Sequence, residues 1–504
     1  MRHIVHMPVS VASVRQTDER RAKGSPARLP HLIAGTAYVG LCVVGPMLVV
    51  SSMPDPPPTG NATFLAILVL VIAGARFSWL LGRGEARLME FSFWIFAYVF
   101  MGLAPLIQMR SGIYPGTTPG LLSALNFSSL FVILIGTIVT GLGCLVSRPS
   151  RRRRAVFSVH RFRIIVLALV ALAANVYYLS QVGPVNLVRS RTDLYRAEVG
   201  QWSNSTIAAI VASLCTMPLL VAWLGLLQLR RQRRETGQTG YLVLSATVLC
   251  ALLFSVNPIS SPRYLFGTVT LAVLAGIGAY STAARVRIMS LAFLIALVFV
   301  FPVADAFRRS QEPDLSDLGL MNSLTSGDFD AFAQVNNTVL YVMNEGITWG
   351  RQAAGVLLFW IPRSYWPNKP LDTGVHLAQY RGYRFENLSA PIWSELFING
   401  GWIVLVLGML VLGMYMRYRD DQAITARLLG QQPSVLSIIL PFYLFILLRG
   451  SLLQAMAHLV VISSCAAFIT KRDSLPSSAR SSSNQADPNS VAEARDNLGA
   501  EPGQ

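Results

Sequence analysis

A histidine and a glutamate in the last third of the chain are the residues best suited to moving a proton. His376 lies in a polar stretch, and imidazole titrates near neutral pH, as a general base requires. Glu395 follows Pro391 by about one helical turn, at the start of an apolar run where a solitary carboxylate is costly. The residue types therefore leave two candidate catalytic bases, Glu395 and His376.

Arginines at the ends of apolar runs are the candidate anion-binding residues. Arg263 follows Pro262 where such a run begins, and the unpaired N–H groups of a helix start also attract anions. The planar guanidinium group suits two-point contact with phosphate. The alternative is an interfacial anchor or a structural ion pair. The other arginines of this kind are Arg189, Arg191, Arg308, Arg309 and Arg449.

Metal binding has little support in the pattern of side chains. Asp328 and Asp330 have the spacing of a metal-binding pair, but so short a pattern is weak evidence for a metal. The five cysteines lie in apolar runs, without the spacing of a zinc site or of a disulfide framework. We therefore expect neither a metal nor another cofactor.

Apolar runs about twenty residues long must position these side chains. The chain has 504 residues, of which 53% are hydrophobic and 13% charged, whereas a soluble protein carries about 25% charged residues. Such runs match the ~30 Å hydrocarbon thickness of a bilayer. The sequence therefore predicts an all-α polytopic membrane protein with about twelve transmembrane helices. They cover 31–53, 62–82, 90–109, 121–146, 162–183, 206–229, 240–256, 264–283, 287–306, 391–416, 434–448 and 452–470.

The positive charge alternates between the connections of these helices. The net charge is +17, and the basic residues concentrate in every second loop, for example at 148–163, 230–234 and 417–427. Loops rich in arginine and lysine face the cytoplasm. Both termini are therefore predicted to be cytoplasmic, and no nucleic-acid partner is expected, because basic residues interleaved with base-reading side chains are missing.

This topology divides the chain into five parts. A basic cytoplasmic tail (1–30) precedes nine transmembrane helices (31–306), and three more helices (391–470) precede a disordered cytoplasmic tail (471–504). Residues 307–390 form a large external loop. Within it, 352–361 is apolar but too short to span, so we expect a re-entrant half-helix buried in protein.

Two stretches of this region resemble a known family. Residues 359–370 read FWIPRSYWPNKP, and residues 394–402 read SELFINGGW. Together they resemble the bacterial oligosaccharide repeat-unit polymerases (O-antigen, or Wzy-type, polymerases), which are related to the O-antigen ligases and to GT-C-like membrane glycosyltransferases. Such enzymes tend to have a similar proline-rich element before a Glu-Leu-X-X-Asn-X-Gly helix start. The likeness is strongest at 359–402, and Arg263 and Arg449 lie in segments that also look like family features.

The resemblance implies an inverting, metal-independent polymerase of undecaprenyl-pyrophosphate-linked glycans in the bacterial inner membrane, with its active site on the outer face. The product would be a surface polysaccharide such as O-antigen, capsule or exopolysaccharide, and the partners a chain-length regulator and a flippase beside the lipid bilayer. Arginines would bind the pyrophosphate, and a loop base would activate the acceptor hydroxyl. The implied substrate-binding residues are Arg263, Arg191, Arg189, Arg363, Arg308, Arg449, Lys369, Trp366 and Tyr383.

Some roles and functions stay open. The ring of Trp366 or Tyr383 could equally stack on a sugar or join an interfacial aromatic belt. The ligase histidine has no clean counterpart, so the base is not settled. An alternative enzyme is a ligase-like transferase of finished glycan. A polysaccharide or lipid transporter is the non-enzyme alternative, although the predicted spans hold few polar residues besides Arg76, Asn175 and His458.

Overall fold

The computed structural model describes residues 28–53, 61–147, 156–202, 205–235, 241–300 and 323–473. Arg308, Arg309, most of the predicted N-terminal tail and nearly all of the predicted C-terminal tail lie outside these residues. In chain order the helices are α1 Leu29–Ser52, α2 Ala62–Arg83, α3 Leu88–Ser111, α4 Ser123–Val146, α5 Arg161–Val182, α6 Asn186–Arg189, α7 Arg191–Trp202, α8 Ser205–Glu235, α9 Leu242–Ser255, α10 Arg263–Ile277, α11 Ala283–Ile295, α12 Ala331–Glu345, α13 Arg351–Leu357, α14 Thr373–Arg381, α15 Ile392–Leu428, α16 Val435–Arg449 and α17 Leu452–Ile469.

Long apolar helices dominate the fold and identify a multi-pass membrane protein. Within the described ranges, eight helices are long and apolar enough to cross a membrane: α1 to α5, α8, α15 and α17. The shorter helices α9, α10, α11 and α16 overlap the other four predicted spans. The predicted helical class is confirmed, and the count of twelve spans stays a prediction.

Segments in or beside the basic loops meet at one face of the bundle. A guanidinium nitrogen of Arg87, after α2, lies 2.8 Å from a carboxylate oxygen of Asp421 in α15. Arg287 donates to the backbone oxygen of Gly82. Strand β1, Val156–Val159, pairs in antiparallel register with β2, Thr470–Asp473. Residues 471–473, which the composition assigns to a disordered tail, therefore belong to a strand, because backbone pairing with β1 orders a segment that has no apolar residues of its own.

The other loops meet at the opposite end of the bundle. Arg110 donates to the backbone oxygen of Val50, and Asn336 donates to that of Leu122. The loop before α10 contacts the end of α6 through Asn257. The contacts thus sort the loops into the two alternating sets that the arginine pattern predicts. Which set faces the cytoplasm stays a prediction.

A buried network of charges joins α2, α3 and α15 at the face that carries the basic loops. Glu90 is fully buried and binds Arg76 at 2.5 Å and Arg417 at 3.4 Å. The carboxylate of Asp420 accepts the backbone N–H groups of Met89 and Glu90. Ion pairing therefore explains why an arginine lies inside the predicted span 62–82, since a charge within a membrane needs a partner.

Glycines allow α4 and α15 to pack closely. A Cβ on Gly143 would clash with the backbone oxygen of Leu410, and one on Gly413 would clash with that of Thr140. Small residues permit such contact between membrane helices. Helix α15 kinks at Gly400 and Gly401, and Gly401 has a φ of 59°, in the left-handed region that favours glycine. The kink sets the first two turns of α15, with Glu395, apart from the long apolar part.

Three helices, α12, α13 and α14, lie in the described part of the predicted external loop. Helix α12 lies against α4 and α15, and its residues 331–339 are buried although Gln334, Asn336 and Asn337 are polar. Because of these polar residues, the hydropathy of the segment does not predict a transmembrane span. Helix α13 lies where the sequence predicts the half-helix.

Candidate functional site

Two arginines at span ends converge on one acidic segment. Arg263 opens α10, and one of its guanidinium nitrogens lies 2.6 Å from a carboxylate oxygen of Asp328. Arg449 ends α16 and donates from Nε to the backbone oxygen of Asp328 and from a terminal nitrogen to Asp330, 3.2 Å away. The structure therefore brings together two arginines that the sequence predicts to bind an anion, and each is paired with an aspartate.

Tyr264 and Ser389 support this arrangement, which we call the arginine cluster (Arg263, Arg449, Asp328 and Asp330). The Arg449 guanidinium lies 4.8 Å from the ring centre of Tyr264, a cation–π distance. The second carboxylate oxygen of Asp330 accepts the backbone N–H of Ser389. The two aspartates with metal-like spacing thus serve as arginine partners, and the described residues contain no group of three metal-ligand side chains.

Asn257 links the arginine cluster to the loop after α5. Its carboxamide oxygen accepts the backbone N–H groups of Ile259 and Ser260, which shapes the turn before Arg263. Its carboxamide nitrogen donates to the backbone oxygen of Leu187 in α6. Helix α6 ends at Arg189 and α7 begins at Arg191, and both side chains are exposed.

Glu395 is fully buried and accepts three hydrogen bonds. One carboxylate oxygen accepts the hydroxyl of Thr373 at 2.8 Å. The other accepts the hydroxyl of Ser451 at 3.1 Å and the backbone N–H of Leu452 at 3.0 Å. These bonds explain how a carboxylate tolerates burial, because the donors replace its water shell. With a residue exposure of 1%, Glu395 is shielded from solvent.

Asn399 joins the start of α15 to α13. Its carboxamide nitrogen donates to the backbone oxygen of Glu395, and its oxygen accepts the backbone N–H of Ala353. Asn399 thereby positions the N-terminal part of α13, which contributes to the cavity described below. The glutamate, asparagine and glycines of the family-like stretch thus form one structural unit.

Asp372 immediately precedes α14 and lies near Glu395. It caps the helix by accepting the backbone N–H groups of Gly374 and Val375. Burial raises the pKa of the Asp372 carboxyl to about 6, although these N–H groups oppose the rise. A Cβ on Gly374 would clash with the backbone oxygen of Leu388, so the close approach of α14 to that stretch of backbone requires glycine.

His376 lies one turn further along α14 and borders a cavity of about 190 Å³. Its ring packs edge-on against Tyr341, with the ring centres 4.9 Å apart. Its Nε2 atom has no hydrogen-bond partner among the described residues. Burial and the positive charge of Arg351 lower the pKa of His376. The cavity is lined by Tyr341, Thr348, Arg351, Gln352, Asn368, Lys369, Pro370, Leu371 and His376.

Arg351 is the functional candidate that sequence reasoning misses. It opens α13, is exposed, and donates to the backbone oxygen of Asn368. Its position at the start of a short apolar helix gives a weak signal, the same one that singles out Arg263. Thr373 and Ser451 carry no local signal, since only the fold brings them to Glu395.

Arg363 and Lys369 brace the proline-rich loop after α13. Arg363 donates to the backbone oxygens of Lys369 and Pro370. The buried Lys369 ammonium donates to those of Phe359 and Ile361, and burial followed by the Arg363 charge lowers its pKa. These two cations, which the sequence predicts to bind substrate, are therefore engaged in holding the loop that borders the cavity.

The two predicted aromatic platforms differ in exposure. Trp366 is half-buried in the proline-rich loop. Tyr383 is buried with Ala378 and Leu388, and its hydroxyl donates to Asn337. Tyr383 is therefore part of the packing between α12 and α14, and Trp366 remains a candidate for contact with a sugar.

Comparison of the chain with known protein families, with curated proteins and with solved structures yields no match.

Proposed function

We propose that this protein is a membrane glycosyltransferase that polymerises undecaprenyl-pyrophosphate-linked oligosaccharide repeat units into a surface polysaccharide. The observation that carries the proposal is the cavity between α13 and α14, which is lined by both His376 and Arg351 and where the buried Nε2 atom of His376 has no hydrogen-bond partner among the described residues. This cavity adjoins α14, whose Thr373 donates to Glu395. Glu395 also accepts the hydroxyl of Ser451, which follows Arg449 of the arginine cluster by two residues. The resemblance of residues 359–402 to the polymerases supports the same chemistry.

The proposed reaction transfers the growing glycan from its lipid pyrophosphate to a hydroxyl of a new repeat unit. The hydroxyl oxygen forms a bond to the anomeric carbon, the carbon–oxygen bond to pyrophosphate breaks, and undecaprenyl pyrophosphate leaves. The hydroxyl proton passes to the base. Attack from the side opposite the leaving group inverts the anomeric centre.

His376 fits the role of base better than Glu395. The neutral imidazole is the form that accepts a proton, and the lowered pKa of His376 favours that form near pH 7. Glu395 is buried, and both of its oxygens already accept hydrogen bonds. We therefore assign proton removal to His376 and assign Glu395 to positioning α14.

Arg263 and Arg449 fit the role of pyrophosphate ligands. They come from different helices, α10 and α16, yet contact the same residue, Asp328. Arg263 pairs with the Asp328 carboxylate, and Arg449 contacts the Asp328 backbone oxygen and the Asp330 carboxylate, so one short segment holds both guanidinium groups. Two guanidinium groups match the two phosphates of a leaving group, whose charge they neutralise without a metal. Arg191, exposed after the α6 segment that Asn257 contacts, is assigned to the outer phosphate or first sugar.

Glycan analysis of cells carrying Arg263→Ala tests the proposal. The expected result is loss of long chains, with single repeat units remaining on lipid. The matched control is Arg384→Ala, which removes an exposed arginine between α14 and α15 and should leave chain length unchanged. Normal chain length in Arg263→Ala would contradict the assignment. Full-length glycan accumulating on the polyprenyl lipid of a strain without the protein would show a ligase-like transferase instead.

A further inference from the structure

The arginine cluster holds as many carboxylates as guanidinium groups. Arg263 is paired with Asp328 and Arg449 with Asp330. The two aspartates are separated only by Phe329, so one short segment compensates both cations. A diphosphate approaching these arginines therefore meets paired charges and must replace at least one carboxylate to form direct contacts.

The two aspartates differ in how firmly they are held. The Asp330 side chain is only 3% exposed and is fixed by Arg449 and by the backbone N–H of Ser389. The Asp328 side chain is 24% exposed, and its partner Arg263 is 21% exposed. A partly exposed ion pair is exchangeable, whereas removal of a buried partner leaves an uncompensated charge.

The backbone that carries Asp328 is anchored independently of its carboxylate. The carboxamide nitrogen of Gln108 donates to the backbone oxygens of Leu324 and Phe329. The Phe329 ring stacks on Phe100, with their centres 4.9 Å apart. The Asp328 side chain can consequently rotate away from Arg263 while the segment stays in place and continues to accept from Arg449.

We infer that the Asp328 carboxylate is an internal competitor, which occupies the diphosphate position on Arg263 and is displaced when a lipid-linked diphosphate binds. This inference rests on the proposed function for its ligand. Asp330, by contrast, is a positioning residue that keeps Arg449 in place. The apparent affinity for the diphosphate is the intrinsic affinity multiplied by the fraction of molecules in which Asp328 has released Arg263. The native chain is thereby selective for ligands with enough charge to replace a carboxylate.

Binding of inorganic pyrophosphate to the purified full-length protein in lipid nanodiscs tests this inference. Asp328→Asn should bind pyrophosphate about fivefold more tightly than the native chain, the range expected for loss of one partly exposed ion pair. Arg263→Gln should abolish the gain when it is combined with Asp328→Asn. Asp330→Asn should bind no more tightly than the native chain.

Glu345→Gln is the matched control for net charge. Glu345 is exposed at the end of α12 and forms no ion pair with another described residue. Its substitution should change the affinity less than twofold. Equal affinities of Asp328→Asn and the native chain, an equal gain in Glu345→Gln, or binding that does not depend on Arg263 would each overturn the inference. Because no glycan is present, this result is independent of whether the chain polymerises repeat units.

Discussion

The carboxylate of Glu395, in the first turn of α15, accepts the backbone N–H of Leu452, which begins α17. Leu452 is the first residue of α17, so this N–H has no partner within its own helix. Thr373, the first residue of α14, donates its hydroxyl to the same carboxylate. One buried side chain therefore fixes the starts of α14 and α17 relative to α15. The candidate base His376 and the cavity depend on that arrangement.

Substitution of Glu395 separates structure from catalysis. Glu395→Ala leaves three buried donors without their acceptor and should lower the free energy of unfolding by about 1–3 kcal/mol for each donor that finds no new partner. Glu395→Gln keeps an acceptor oxygen and should retain most of the stability and the polymer. Thermal unfolding in detergent and glycan length measure the two effects. A stable Glu395→Gln chain without polymer would make Glu395 the base.

His376 should limit activity at acidic pH. Burial and Arg351 lower its pKa, so at pH 6.5, where an ordinary histidine is half protonated, more than half of the His376 imidazole is neutral. Activity should be lost only as the pH falls through the lowered pKa. Arg351→Gln removes the nearby positive charge and should move this acid limb to higher pH, while Arg384→Gln should leave it unchanged. A profile of in vitro polymerisation that lacks an acid limb would exclude His376.

Asp372 should make stability depend on pH in a defined window. Its pKa is raised to about 6 in the folded protein from an ordinary value of 3.8. The folded state therefore binds the proton more tightly, and this contribution is complete below pH 3.8 and declines as the pH rises through 6. Asp372→Asn retains a capping side chain without the buried charge. It should be more stable than the native chain at pH 7 by up to about 3 kcal/mol.

The advantage of Asp372→Asn should vanish near pH 4, as measured by thermal unfolding at a series of pH values. Asp372→Ala removes the cap as well and should gain less at pH 7. A difference between Asp372→Asn and the native chain that is constant from pH 4 to pH 7 would show that the carboxyl does not titrate there.

Cysteine labelling can determine which face carries the cavity. Tyr365 is 85% exposed in the proline-rich loop, and Leu428 is 72% exposed at the other face. In a chain without its native cysteines, Tyr365→Cys should react with a membrane-impermeant maleimide on cells in which the membrane that holds the protein is intact. Leu428→Cys should react only after that membrane is opened. The reverse pattern would place the proposed site in the cytosol, away from a lipid diphosphate donor.

The helices could be predicted from the sequence because hydropathy and length are local properties. The predicted span 62–82 and the helix Ala62–Arg83 nearly coincide, as do 162–183 and Arg161–Val182. The burial of helix α12 could not be predicted in this way, because its sequence contains polar residues. These residues are buried only because α12 packs against α4 and α15, which are distant in the chain.

The candidate site was predictable only in its parts. Arg263 and Arg449 can be recognised by their positions at the ends of apolar runs, but their common contact with Asp328 depends on three distant segments. Likewise the sequence marks Lys369 as a substrate-binding candidate but does not show its two hydrogen bonds to backbone oxygens. Contacts between distant segments decide which charged side chains are available to a ligand. Such contacts cannot be predicted from local sequence patterns.

The short sheet of β1 and β2 has a consequence for biogenesis. Strand β1 precedes α5 and strand β2 follows α17, so the ribosome completes every helix from α5 to α17 before the two strands can pair. The backbone N–H of His160 also donates to the backbone oxygen of Ile469, which extends the junction to the ends of α5 and α17. Two strands alone are only marginally stable in water, so the sheet depends on those helices being inserted side by side. Its formation therefore marks the end of membrane insertion, and a nascent chain released before Thr470 would leave the backbone of β1 without this partner.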